Sequence, residues 1–124
     1  MVWFQANKFN VPRLAFINKM DRPGASMEFT LKTIKDKLNV TPLVVQLPVG
    51  ESERFQAIVD ILKMEHISWS DKLGCIVEKT PVTEDHKLYK DSMACREKLL
   101  ESLSIFDDQI AVSQAFSYVK YNIY

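Results

Sequence analysis

The chain has 124 residues, 47% of them hydrophobic and 26% charged, which suits a soluble globular chain of one domain at most. Sixteen basic residues balance sixteen acidic ones, so no long-range field draws the chain to DNA, RNA or an anionic membrane. Two cysteines, Cys75 and Cys95, are too few for a disulfide framework, and with His66 and His86 they make no metal-ligand spacing. No apolar run approaches a membrane span, and the amino terminus has neither a signal peptide nor an Arg-rich transit segment.

In chain order, Val2, Trp3, Ala6 and Phe9 are spaced as the end of an amphipathic helix, with Asn10 as its stop and Pro12 beyond it. Trp3 is expected to pack only if a sheet forms behind it. Leu14-Ala15-Phe16-Ile17 reads as a buried strand that gives way at once to Asn18-Lys19-Met20-Asp21. The carboxyl end of a buried strand in an α/β fold is where ligands bind, so this polar group is the candidate site.

The chemistry of Asn18-Lys19-Met20-Asp21 suits guanine. A carboxylate at Asp21 can accept the ring N1–H and the exocyclic amine in parallel, whereas adenine would leave a buried carboxylate unpaired. Lys19 can lay its stem along the face of the base with its ammonium in water. The Asn18 amide can bond both the base and a neighbouring loop, and Met20 is expected to turn away and pack.

Arg22-Pro23-Gly24 then reverses the chain. Ser26 caps a predicted helix whose apolar stripe is Met27, Leu31, Ile34 and Leu38, ending near Asn39. Its other face carries Lys32, Lys35 and Lys37, either an RNA contact or a solvated face. Residues 42–49 read as a second strand, reached by a right-handed crossover, so that strand, helix and strand make one βαβ unit.

Beyond Glu51, Phe55 to Leu62 and Met64 to Trp69 predict an antiparallel hairpin broken at Lys63, followed by a third strand over Cys75 to Lys79. Thr83 is expected to cap a long helix with Glu84 and Asp85 in its first turn. Its core stripe is Leu88, Ser92, Cys95, Leu99 and Leu103, with Cys95 a small buried hydrophobe.

Val-Trp-Phe-Gln-Ala-Asn-Lys-Phe-Asn-Val-Pro-Arg at Val2 to Arg13, Phe16 to Arg22, Gly24-Ala25, Leu-Val-Val-Gln-Leu-Pro-Val-Gly at Leu43 to Gly50, and Phe55 to Trp69 resemble the G domain of elongation factor G. Gly24-Ala25-Ser26, Lys37-Leu38, Pro42-Leu43 and Gln46-Leu47-Pro48 lean toward its mitochondrial, ribosome-recycling branch. The resemblance is collinear over roughly residues 2 to 111. It implies an α/β fold: part of a P-loop GTPase sheet at 1–50, an α+β insert subdomain at 51–111, and a divergent, aromatic-rich tail at 112–124.

By that resemblance the parent protein is a GTP hydrolase acting on the ribosome in translocation or in mitochondrial ribosome disassembly. Asn18, Lys19, Met20 and Asp21 become its guanine-binding residues, GTP its nucleotide, and the ribosome its partner. The mitochondrial matrix is the expected location, with the cytoplasm as runner-up. Phosphoryl transfer needs a phosphate-cradling loop and a magnesium-binding hydroxyl. The chain has three glycines and no Gly-x-x-x-x-Gly-Lys-Ser/Thr, so no catalytic residue is assigned and no hydrolysis is expected from it alone. Magnesium is expected only in the complete parent. The competing reading is a non-enzymatic adaptor that keeps part of the fold and binds a ribosomal or other protein through the hairpin and long helix.

Overall fold

The protein is described from a computed structural model, which covers residues 2–71 and 73–105. Three helices, α1 (Val2–Lys8), α2 (Met27–Leu38) and α3 (Tyr89–Ser104), accompany four strands, β1 (Gln46–Val49), β2 (Ala57–Asp60), β3 (Glu65–Trp69) and β4 (Val77–Pro81). The strands form one antiparallel sheet in the order β1-β2-β3-β4. The chain gathers into two compact units where its length suggested one. The first holds the described residues up to Pro42 together with Gly50–Phe55, and the second holds Leu43–Val49 with the described residues from Gln56 onward.

Helix α1 stops where the sequence indicates. Asn10 takes a left-handed φ of 52°, and the Val11 amide bonds back to the Ala6 carbonyl at 3.0 Å. Trp3 finds its cover in Arg13 rather than in a sheet. The guanidinium lies 4.0 Å from the indole centroid and donates to the Trp3 carbonyl and the Asn7 side chain.

Helix α2 also follows its local signals. The Ser26 hydroxyl accepts from the Phe29 amide at 3.4 Å, and Asn39 closes the other end at φ 52° with its amide on the Lys35 carbonyl. Met27, Leu31, Ile34 and Leu38 are half-buried, while Lys32, Lys35 and Lys37 are exposed, so the predicted stripe and its opposite face are both present.

The first strand of the expected βαβ unit is not formed among the described residues. Leu14-Ala15-Phe16-Ile17 belongs to no ladder among the described residues, and Leu14 and Phe16 are 89% and 86% exposed. Four apolar residues make a strand only when a neighbour takes up their backbone hydrogen bonds, and none does so here. The second predicted strand narrows to Gln46–Val49 and pairs antiparallel with β2, Val49 opposite Ala57. The connection from Gly50 to Gln56 is too short for a parallel crossover, which takes a dozen residues or more. The sheet among the described residues is thus an antiparallel meander over Gln46–Pro81, and a partial P-loop sheet over residues 1–50 is not confirmed.

The predicted hairpin is present as β2 and β3, with Asp60 opposite Glu65. The Asp60 carboxylate accepts from the Leu62 and Lys63 amides at 2.9 and 3.0 Å, which fixes the turn at the lysine. Along β2 the burial alternates, Ala57 and Val59 inward, Ile58 and Asp60 half-covered. Val49, Ala57, Val59 and Val82 form the core, flanked by Leu47, Met64, Leu88 and Tyr89.

Strand β4 starts two residues later than predicted and is exposed along its whole length at the sheet edge. The Asp71 carboxylate accounts for the delay. It accepts from Ile76 N–H at 2.7 Å and Leu73 N–H at 3.1 Å, holding the approach to the strand in a loop. Those amides, Ile76 foremost, keep the Asp71 pKa below the usual carboxylate value.

Helix α3 begins at Tyr89 rather than at Thr83, because His86 is engaged elsewhere. Its Nε2 lies 3.0 Å from His66 Nδ1 on β3, and its Nδ1 accepts the Leu88 amide at 3.1 Å. Neutral His86 therefore carries its proton on Nε2 and donates it to His66. Within α3, Ser92 and Leu99 are buried and Cys95 is half-buried, its thiol pKa pushed up by desolvation. Arg96 donates to the carbonyls of Ile61 and Leu62, tying the helix to the β2–β3 turn. The residues beyond 105, which include the end of the predicted insert and the tail at 112–124, lie outside the described residues.

His86 gives a pH-dependent stability. Burial first, then the charges of His66 and Lys87, lower the His86 pKa from 6.5. A base with a depressed folded pKa binds protons more readily when unfolded, so its stabilising contribution is present above about pH 6.5 and fades as the pH falls through the folded value. The urea midpoint of the whole chain should drop between pH 7 and pH 5.5, and His86→Gln, which keeps a donor toward His66, should flatten the dependence. A wild-type midpoint that is level over that range would contradict the geometry.

Candidate functional site

Asn18, Lys19 and Asp21 are exposed and Met20 is half-buried, so the methionine packs while its neighbours face water. The four residues run from the apolar segment into a tight turn. Lys19 takes a left-handed φ of 62°, uncommon for a side chain with a Cβ, and the Asn18 amide oxygen accepts the Lys19 N–H at 2.8 Å. The Arg22 amide returns to the Lys19 carbonyl at 3.2 Å, and the Ala25 amide to the Arg22 carbonyl at 3.0 Å. Gly24 at φ 79° follows Pro23 in this second reversal, the arrangement of a type II turn.

Asp21 is not buried as the guanine argument assumed. Its carboxylate is exposed, because nothing among the described residues covers the turn. Discrimination by an unpaired carboxylate is weaker in water than in a dry pocket. The Asn18 oxygen serves its own turn, which leaves the NH₂ end of that amide as the group available to a ligand.

What the sequence reading missed is the segment that holds this turn. The Ser52 amide donates to the Met20 carbonyl at 3.0 Å, and the Ser52 hydroxyl accepts from the Gly24 amide at 3.1 Å. One carboxylate oxygen of Glu51 accepts from the Met27 amide at 2.7 Å, where α2 begins and a negative charge is favoured. Ser52 has a φ of 57° and Gly50 one of 82°, so the loop doubles back tightly to make these bonds. A Gly-Glu-Ser run directly after a strand was the only local hint.

Among the described residues no three of His, Cys, Asp and Glu are grouped to hold a metal ion, and no helix is long and apolar enough to cross a membrane.

No protein-family profile matches the chain. Individual proteins do. The chain is 39% identical over 114 residues to mitochondrial ribosome-releasing factor 2 of Mus musculus, covering 89% of this chain and 15% of that protein. The same factor from Bos taurus is 40% identical over 114 residues, with the same coverage. Elongation factor G of Thermotoga maritima is 38% identical over 109 residues, covering 88% of this chain and 16% of that protein. The chain thus spans roughly one-sixth of the length of the curated relatives it matches. A solved structure from Thermus thermophilus superposes with a TM-score of 0.69 over 93% of this chain and 16% of that one, at 17% identity, which speaks to the fold alone. Over almost nine-tenths of its length, the chain belongs to the family of elongation factor G and the mitochondrial ribosome-releasing factors.

Proposed function

We propose that these residues are part of a GTP-dependent translation factor acting on the ribosome, and that the Asn18–Asp21 turn is its guanine-reading element. The observation that carries the proposal is a polar turn anchored on both sides of Asp21 in a chain so similar to elongation factor G and the ribosome-releasing factors. In this reading Asp21 accepts the N1–H and the exocyclic amine of guanine together. Lys19 covers a face of the base with its alkyl stem, and the free NH₂ end of Asn18 bonds the ring edge. The antiparallel sheet with α3 is the inserted platform through which the factor meets its partners. The names of the releasing factors support the mitochondrion as the place of action, and ribosome disassembly over translocation.

The residues present fit the base and not the phosphates. No Gly-x-x-x-x-Gly-Lys-Ser/Thr occurs in the 124 residues, so no step of phosphoryl transfer and no magnesium site is assigned to them. Guanine nucleotide binding by the chain itself is accordingly weak, about millimolar, since the charge-assisted contacts to phosphate are missing.

The test is nucleobase preference. In ligand-observed NMR with millimolar guanosine, xanthosine and adenosine, the wild-type chain should favour guanosine. Asp21→Asn should move the preference to xanthosine by about tenfold, because an amide donates to the C2 carbonyl where the carboxylate accepted from the amine. An unchanged guanosine preference in the variant would remove Asp21 from the role. It would favour the non-enzymatic adaptor, to which the exposed β4 edge also lends itself.

A further inference from the structure

We propose that Glu51 and Ser52 are positioning residues for guanine recognition: they touch no base, and they hold the turn that presents Asp21 in its binding-competent shape. The inference rests on the guanine reading above and adds the residues that control its affinity.

The turn cannot hold itself. Its internal bonds, Lys19 N–H on the Asn18 oxygen and Arg22 N–H on the Lys19 carbonyl, are local and water-exposed, and Lys19 sits in a left-handed conformation that a free chain seldom visits. Strained backbone of this kind persists where the surroundings over-determine it. Here the surroundings are three hydrogen bonds from two consecutive residues. Ser52 N–H grips the Met20 carbonyl immediately before Asp21, the Ser52 hydroxyl grips Gly24 N–H after it, and the Glu51 carboxylate grips Met27 N–H where α2 starts.

The loop making these bonds is itself specified in shape. Ser52, like Lys19, is a non-glycine residue in the left-handed region, and a Cβ built on Gly50 would lie 1.9 Å from the Arg54 carbonyl oxygen. Two left-handed side-chain residues, Lys19 and Ser52, thus meet at one turn, and such outliers gather where geometry serves binding.

Holding a conformation contributes to affinity in proportion to how often the free chain would adopt it. A turn released so that it is competent one time in five binds about fivefold more weakly, with no contact to the ligand lost. Ser52→Gly removes the hydroxyl while relieving the left-handed strain, so it should leave the thermal midpoint of the chain level or raised and still weaken guanosine binding about fivefold. Glu51→Ala should weaken binding similarly, and Glu51→Gln, which keeps an acceptor oxygen for Met27, should restore most of it.

The experiment measures guanosine affinity by NMR titration for wild type, Ser52→Gly, Glu51→Ala and Glu51→Gln, with thermal midpoints for each. Weaker binding at an unchanged midpoint, with rescue by Glu51→Gln, supports the proposal. Guanosine affinity equal to wild type in Ser52→Gly and Glu51→Ala overturns it, and does so alone if Asp21→Asn still shifts the preference to xanthosine. Affinity lost only in step with the thermal midpoint reduces both residues to structural ones and also overturns it. No guanosine binding by the wild-type chain overturns both the guanine reading and this inference.

Discussion

Ile61→Ala is expected to lower the unfolding free energy of the chain by about 2–5 kcal/mol, the range for truncating a fully enclosed aliphatic side chain. Ile61 has no exposed surface and follows directly on β2. Its amide donates to the Val45 carbonyl at 3.1 Å and its own carbonyl accepts from Arg96, so the backbone is held from two sides and cannot easily collapse into the space left. The cost should therefore combine lost transfer energy with a residual cavity. In a chain of this size that is a large share of the whole stability. Urea unfolding followed by far-UV circular dichroism gives the value, and Ile58→Ala on the half-covered face of the same strand serves as a smaller-effect comparison. A loss below about 1 kcal/mol for Ile61→Ala would mean that the second unit does not pack around this residue.

Gly50→Ala should be nearly as damaging, by a different route. At φ 82° an L side chain costs about 1–2 kcal/mol, and the new Cβ would fall 1.9 Å from the Arg54 carbonyl oxygen and 2.7 Å from its carbon. The obstacle is main chain, not the movable end of a side chain, so the loop must leave its position. The total should exceed about 2 kcal/mol, with the Ser52 and Glu51 bonds broken as a result. Nitrogen-15 NMR reads this directly: the amides of Gly24 and Met27 should lose their bonded shifts and exchange faster with solvent. Unmoved Gly24 and Met27 signals in the variant would show that the loop tolerates a methyl group there.

The sequence was legible where its signals were local. Ser26 and Asn39 bound α2 because capping involves residues three or four apart, and Ala57 and Val59 alternate with Ile58 and Asp60 because a strand repeats every two. It failed where a distant partner decides the outcome. Leu14 to Ile17 has a strand's composition but no ladder, β1 takes its direction from β2, and α3 gives up its first predicted turn because His86 reaches back to His66. The candidate site divides in the same way. Asn18 to Asp21 stood out by composition at the end of an apolar run, whereas Glu51 and Ser52 act across a separation of more than twenty residues that no local pattern announces. The exposure of Asp21 was likewise invisible, since cover is a property of neighbours.

The connection between β1 and β2 places a constraint on biosynthesis. Gln56 N–H closes on the Val49 carbonyl at 3.0 Å, so the ends of the Gly50–Phe55 segment are brought together by strand pairing. A chain made from its amino terminus exposes Asp21 long before Ala57 exists to pair with Val49. During translation the nascent Asn18–Asp21 stretch is thus made before the Ser52 that bonds to Met20. The bonds that hold its turn, from Ser52 to Met20 and Gly24, await residues made more than twenty positions later.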